Sequence, residues 1–277
     1  MAGSEQQPEV TGGPALRRIV LLAEYDGTRY HGLQRQGHTP LTIQQEFESA
    51  VGRLGVTEPD FVASGRTDSG VHATGQAVAL NVPAEPPVRK YLRTFNALLP
   101  ADIRVRAVAE CPEGFSPRFD ARRRTYIYRV CALEPVPPLQ RNFVAFAKTD
   151  LDVERTRAAA AAFEGRWELS AWRSAICQAT RTLLTIDECT AVPPHTDERT
   201  GEALPWWTFR TAARSFLHHQ VRLMAGAIVA VGSGRLGLEE LRNALAAGER
   251  PKSVVMMPAC GLCLARVEFD PERDPFR

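Results

Sequence analysis

The stretch SGRTDSGVHATGQ, Ser64 to Gln76, places a guanidinium and a carboxylate two positions apart, Arg66 and Asp68, between the apolar runs FVA and AVALNV. Gly65 and Gly70 flank them, and glycines let a backbone adopt conformations that swing short side chains into a cavity. A carboxylate presented in this way can serve as a nucleophile, because it is ionised at neutral pH without help from a base. A nearby guanidinium can orient it or hold a phosphate. The alternative is a tight turn in which Asp68 caps its own backbone and Arg66 pairs with it at the surface. Such an exposed pair contributes only about 0–1 kcal/mol, so stability gives little reason for the combination.

Three other segments concentrate reactive side chains. FSPRFDARRRTYIYR crowds Arg118, Arg122, Arg123, Arg124 and Arg129 together, which reads as a local phosphate-binding patch or as a solvated charge run. Within it Tyr126 and Tyr128 share one strand face, as ordinary strand aromatics do. SFLHHQVR carries His218, His219 and Arg222; if the helix starts behind Ser215, the two imidazoles point about 100° apart with no carboxylate at i+4, which argues against a metal. Arg222 falls one turn after His218, and its bland alternative is a surface helix arginine. Cys260 and Cys263 form the chain's CxxC, but no second pair and no His-x(3–5)-His completes a zinc site. A zinc nucleobase deaminase needs His-x-Glu, and none of the six histidines has Glu two residues on. No metal is expected from these residues. His72 is left without a role.

The whole chain bounds these readings. At 277 residues, 44% hydrophobic and 24% charged, it can bury a sizeable core. No window approaches 18 uninterrupted apolar residues, and the first thirty lack the pattern of a signal peptide, so a soluble, cytoplasmic protein is expected. Scattered thiols suit a reducing compartment. A net charge of +2 does not announce a nucleic-acid binder, but of 34 basic residues only Lys90, Lys148 and Lys252 are lysine. Arginine suits bidentate phosphate contacts and base stacking, although a GC-rich genome has the same effect.

Positioning these groups requires a frame. In TIQQEFESAVGRLG, Ile43, Phe47, Ala50, Val51 and Leu54 keep one helical face, with Thr42 and Gln45 as a capping box and Gly55 as the stop. Val88 to Leu99 gives a second helix ended by Pro100, and Asp152 to Gly165 a third. FLHHQVRLMAGAIVAV gives a fourth, stopping at Gly232 and Gly234, and a short one follows over Leu238 to Leu245. Seven β-branched and aromatic runs lie between: RRIVLLAEY, GQAVALNV, DIRVRAVAE, RTYIYRVCAL, LLTIDECTAV, PWWTFRTAA and LCLARVEFD. Several follow one another without a helix, which favours antiparallel pairing and an α+β class. HTDERTGE, residues 195–202, reads as an exposed hairpin loop. The expected organisation is a polar tail over 1–15, an N-terminal half over 16–112, a C-terminal half over 113–270 and a tail over 271–277. Each half is expected to be a mainly antiparallel sheet with helices on one face, the two joined around a central basic cleft.

GRTDSGVHATGQ closely resembles the signature of the TruA family of tRNA pseudouridine synthases. EYDGTRYHGLQRQ, TIQQEFESA, FNALLPADIRV, FSPRFDARRRTYIYR, SFLHHQVRLMAGAIVAVG and PACGLCLARVEF are similar to further blocks of that family in the same order, over roughly residues 17 to 270. The resemblance implies the pseudouridine synthase fold and isomerisation of uridine in the anticodon stem-loop of tRNA, with base flipping and no metal or redox cofactor. It implies Asp68 as nucleophile, Arg66 as a group orienting Asp68 or a phosphate, Tyr126 stacked on the target base and Arg222 as an active-site positioning residue. Gln34, Arg122, Arg123 and Arg124 are candidate substrate-binding residues beside Tyr126. The expected partners are tRNA and a second copy of the chain in a homodimer. The sequence departs from the family at Leu33, where Trp is usual, at Gln220, commonly Met, and in ELSAWRSA, where Leu169 and Trp172 stand in aromatic positions. These look like packing or RNA-support sites.

Overall fold

The buried side chains of the first strand are shared between two clusters, with Ile19, Leu21 and Ala23 in one and Val20 in the other, as the two faces of a pleated strand require. A computed structural model of the chain describes residues 15–37, 39–132, 137–199, 201 and 203–277. The polar tail expected over 1–15 lies outside the described residues except for Ala15, whose carbonyl accepts from the Ala84 N–H.

In chain order the elements are β1 (Leu16–Tyr25), α1 (Ile43–Gly52), β2 (Val62–Ala63), β3 (His72–Pro83), α2 (Tyr91–Leu98), β4 (Ile103–Glu110), β5 (Ala121–Cys131) and β6 (Ala145–Phe146). Then follow α3 (Val153–Ala161), β7 (Gly165–Glu168), β8 (Leu183–Val192), β9 (His195–Thr196), β10 (Ala203–Leu204), β11 (Trp207–Ala213), α4 (Gln220–Gly232), α5 (Leu238–Ala247) and β12 (Leu262–Phe269). The class is α+β. Each of the seven strand runs forms a strand, while the short β2, β6 and β7 carry too few residues for a period to show. Leu133, the end of the RTYIYRVCAL run, lies outside the described residues. So do Thr200 and Glu202 of the 195–202 loop, where β9 and β10 pair as a small separate hairpin.

The strands assigned above to two sheets form one, ordered β4-β1-β3-β12-β5-β11-β8-β7, with β2 on β3 and β6 on β5. Pairing is antiparallel except at β5–β6 and at β3–β12. The β3–β12 contact is short, Cys263 opposite His72 and Leu264 opposite Ala73. One face of this mixed sheet packs with the helices around Phe47, Phe95, Ala159, Met224 and Leu241, and the other keeps a small cluster of Val20, Ala77, Ala79, Phe115, Ala121 and Phe269.

Local rules account for several helix ends. Thr42 caps α1 by accepting from the Gln45 N–H, and Asp152 caps α3 by accepting from the Arg155 N–H. Gly248 ends α5 in the left-handed conformation that glycine tolerates. The fourth helix departs from its expected start: it begins at Gln220, not behind Ser215, and His219 in front of it has φ 67°. The reason is a turn locked by Gln220, whose side-chain oxygen accepts from the Leu217 N–H at 2.7 Å while its own N–H donates to the Leu217 carbonyl at 3.0 Å. Gln220, one of the departures noted above, thus ties the turn that carries both histidines. Leu33, Leu169 and Trp172 are buried and serve packing. No helix among the described residues is long and apolar enough to cross a membrane.

Candidate active site

Asp68 sits in the loop between β2 and β3, and that loop is fastened from several sides. The Tyr25 and Thr67 hydroxyls are hydrogen-bonded at 2.8 Å. Gln76, fully buried in β3, accepts from the Ser64 hydroxyl at 2.6 Å and donates to the Gly65 carbonyl at 2.7 Å. The turn after β1 closes on it: Leu33 N–H donates to the Thr67 carbonyl at 3.0 Å, and a Cβ on Gly32 would stand 2.8 Å from that carbonyl. Gly32, at φ 91°, is therefore needed both for its conformation and for its lack of a side chain. His72 is buried, accepts the Gly27 N–H at Nδ1 and lies 3.2 Å from Asp26, so it braces the same turn.

The carboxylate meets groups from the far end of the chain. Arg222 Nη1 donates to Asp68 Oδ2 at 3.2 Å, and its Nε donates to the Met257 carbonyl at 2.9 Å, which fixes the guanidinium. His218 Nε2 lies 3.2 Å from Oδ1 and His219 Nε2 3.6 Å from Oδ2. The two rings lie against each other, tilted by 33° with centroids 3.8 Å apart. This is possible because they precede α4 rather than ride on it, which overturns the helical geometry expected of them. The left-handed His219 costs about 1–2 kcal/mol for a residue with a Cβ, and the turn places both rings on one carboxylate. The Ser174 N–H holds the turn from behind through the His218 carbonyl.

Sequence reasoning missed this pair. The signal available was adjacency to Arg222, but the run FLHHQVR reads as helix unless the tertiary partner is known. Asp68, His218 and His219 each offer one ligand atom, all within 4.8 Å of one another. The Arg222 guanidinium already faces that carboxylate, which favours a cradle of donors over a bound cation. Burial chiefly, with His218 and Arg222, holds the His219 ring below the usual histidine value, while Asp68 works in the opposite direction.

Tyr126 of β5 forms the adjoining wall. A Cβ on Gly65 would lie 3.7 Å from its hydroxyl, and its ring meets Phe216 edge-on at 5.3 Å. Burial, opposed by Arg124 and helped by Asp68, raises its phenol well above the ordinary tyrosine range. Tyr128 on the same strand is tied to the Pro258 carbonyl.

The other candidates are placed differently from one another. Arg66 is exposed, does not touch Asp68 and has no acidic partner among the described residues; the expected orienting contact is made by Arg222 instead. Gln34 is exposed, next to Leu33 and so near Thr67. Arg122, Arg123 and Arg124 do not form one patch. Arg122 pairs with Asp270 and Arg123 with Glu188, and both line a cleft of about 690 Å³ that also includes Arg266 and Glu268 but not Asp68. Arg124 is buried and donates to the carbonyls of Ser64, Arg118 and Arg214. Arg124 is turned into the interior while Arg122 and Arg123 reach one cleft, so the three do not serve one surface. Cys260 and Cys263 are free thiols, raised by burial.

A family model of tRNA pseudouridine synthases matches residues 21–120 and 159–270. The chain is 38% identical over 264 residues to tRNA pseudouridine synthase A of Acidiphilium cryptum, covering 94% of this chain and 99% of that one. It is 38% identical over 254 residues to the protein of that name from Methylobacterium nodulans, covering 91% and 96%, and 37% over 263 residues to that of Myxococcus xanthus, covering 93% and 95%.

Proposed function

The chain belongs to the tRNA pseudouridine synthase family, and from that premise we propose that Asp68 is the nucleophile that converts uridine to pseudouridine in the anticodon stem-loop of tRNA. The reaction is an isomerisation. The bond from N1 of uracil to C1′ of the ribose breaks, the base turns, a bond forms from C5 to C1′, and the proton on C5 is lost while N1 gains one. Nothing is oxidised or reduced, so no electron carrier is required.

The observation that carries the reading is the convergence on Asp68 of Arg222, His218 and His219, beside Tyr126. A carboxylate held by fixed donors keeps its orientation through covalent attack and is a good leaving group afterwards. Tyr126 offers the ring on which an extruded uracil stacks, worth about 1–3 kcal/mol against an extrusion cost of a few kcal/mol. Arg66, exposed in the loop that holds Asp68, is free to meet a phosphate of the flipped nucleotide, and Gln34 lies near the same loop. The halves 16–112 and 113–270 contribute opposite sides of the site, Asp68 from one and Tyr126 with Arg222 from the other. The working form is a cytoplasmic homodimer holding one tRNA across both subunits, which adds two Arg-rich surfaces to a subunit charge of only +2.

Tritium release from tRNA labelled at uridine C5 tests the central claim. Asp68→Ala is expected to abolish release while tRNA binding persists; release at the wild-type rate in that variant would remove Asp68 from the mechanism. Sedimentation of a fully active monomer would overturn the dimer.

A further inference from the structure

The buried guanidinium of Arg124 is the hub of three chain segments. Its Nε and Nη2 donate to the Ser64 carbonyl at 2.8 and 2.5 Å, Nη2 also to the Arg118 carbonyl at 2.8 Å, and Nη1 to the Arg214 carbonyl. Each segment carries an exposed arginine: Arg66 two residues past Ser64, Arg118 itself and Arg214 itself. None of the three has an acidic partner among the described residues, whereas Arg122, Arg123 and Arg210 nearby all do. Burial chiefly works against the charge of Arg124 and Tyr126 opposes that, while the like charges of Arg214 and Arg118 add to it. A protein surface without a counter-ion gains nothing from this arrangement, but a polyanion neutralises it.

Phe119 lies in the same cluster, 73% exposed, with the Arg118 guanidinium carbon 5.3 Å from its ring centroid. A bare phenyl ring braced by a guanidinium is a stacking surface for a nucleobase, with a cation at hand for the neighbouring phosphate. The cluster shares a wall with the active site, since the Cβ position of Gly65 is 3.7 Å from both Arg124 Nε and the Tyr126 hydroxyl.

We infer that Arg118, Phe119 and Arg214 form a subsite at the rim of the catalytic loop for the RNA next to the target uridine, the arginines taking its phosphates and Phe119 one unstacked base. The inference rests on the proposed reading of the site as one that acts on tRNA. Arg124 supports the subsite through backbone carbonyls, so truncating the exposed side chains leaves its bonds in place.

The test is equilibrium binding of unmodified tRNA across a series of KCl concentrations. Arg118→Ala and Arg214→Ala are each expected to weaken binding and to lower the slope of log K against log salt by about 0.7–0.9. Phe119→Ala is expected to weaken binding about 5- to 150-fold with little change in slope, and Phe119→Trp to restore it. Arg242→Ala, which removes an arginine already paired with Glu239 on α5, is the control and keeps the wild-type slope. Wild-type affinity and slope in the three rim variants, or an equal loss in the control, would overturn the subsite. Tritium release by the wild-type protein is scored separately: turnover with unaffected rim variants removes the subsite alone, and tRNA binding without turnover removes the catalytic reading alone.

Discussion

Asp68 Oδ2 and Arg222 Nη1 lie 3.2 Å apart although 154 positions separate them in the chain. The guanidinium is held by a second bond to the Met257 carbonyl, so it is in place before any substrate arrives. Losing one such preorganised donor costs about 10²–10³ in rate. Arg222→Ala is therefore expected to slow single-turnover pseudouridine formation about 100-fold or more, and Arg222→Lys to recover part of that. An alanine variant as fast as the wild type would show that the contact does not serve the reaction.

His219 adopts φ 67°, a conformation that penalises any residue with a Cβ. His219→Gly removes the penalty and His219→Ala keeps it, while both lose the imidazole beside Asp68. In urea titrations the glycine variant should be more stable than the alanine variant by about 1 kcal/mol, and both should turn over more slowly than wild type. Equal stabilities for the two would mean that the turn carries no strain.

Acid should loosen the fold through two rings. Burial lowers the histidine pKa at His219, where His218 and Arg222 add to the effect and Asp68 opposes it, and at His72, where Asp26 opposes it. The folded protein thus protonates these rings at lower pH than the unfolded chain does. Their contribution is complete above the unfolded value of about 6.5 and is lost as pH falls below it towards the folded values. The urea midpoint should drop between about pH 7.5 and about pH 5.5, and the double variant His72→Asn, His219→Asn should show a shallower drop. An unchanged slope in that variant would assign the acid sensitivity elsewhere.

Arg124→Met takes the donors from three backbone carbonyls at once. An acceptor left dry costs about 1–3 kcal/mol, so a loss of at least about that size is expected in the unfolding free energy. Arg124→Lys, with one compact ammonium in place of a planar fork, should fall between the two. Thermal unfolding of the three proteins at one pH checks the order, and a methionine variant as stable as the wild type would contradict it.

The parts of the molecule that local rules decide were legible in the sequence. Thr42 and the spacing of Ile43, Phe47, Ala50 and Val51 locate α1, and Asp152 locates α3, because a cap and a periodic face need no distant partner. The start of α4 was not legible: FLHHQVR has helical character, and only the Leu217–Gln220 pairing and the pull of Asp68 turn His219 left-handed. Asp68 was marked by its unusual loop, yet its partners come from a helix entrance whose position depends on tertiary contacts. Strand alternation does not predict that Arg122 and Arg123 share a cleft while Arg124 is buried, because the burial of Arg124 depends on the carbonyls of Ser64, Arg118 and Arg214. Strand periodicity gives each strand but not its neighbours, so the placement of β12 beside β3 lay beyond it.

The position of β12 has a temporal consequence. In the sheet order it stands between β3, which follows the Asp68 loop, and β5, which carries Tyr126, so residues 262–269 join two regions made long before them. A chain on the ribosome can fold the neighbourhood of β1, β3 and β4 early, but the sheet stays divided between β3 and β5 until these later residues emerge. Residues 262–269 must be made before the sheet can close between these two regions, and a product truncated ahead of them would carry Asp68, Tyr126 and Arg222 without the strand that stands between β3 and β5.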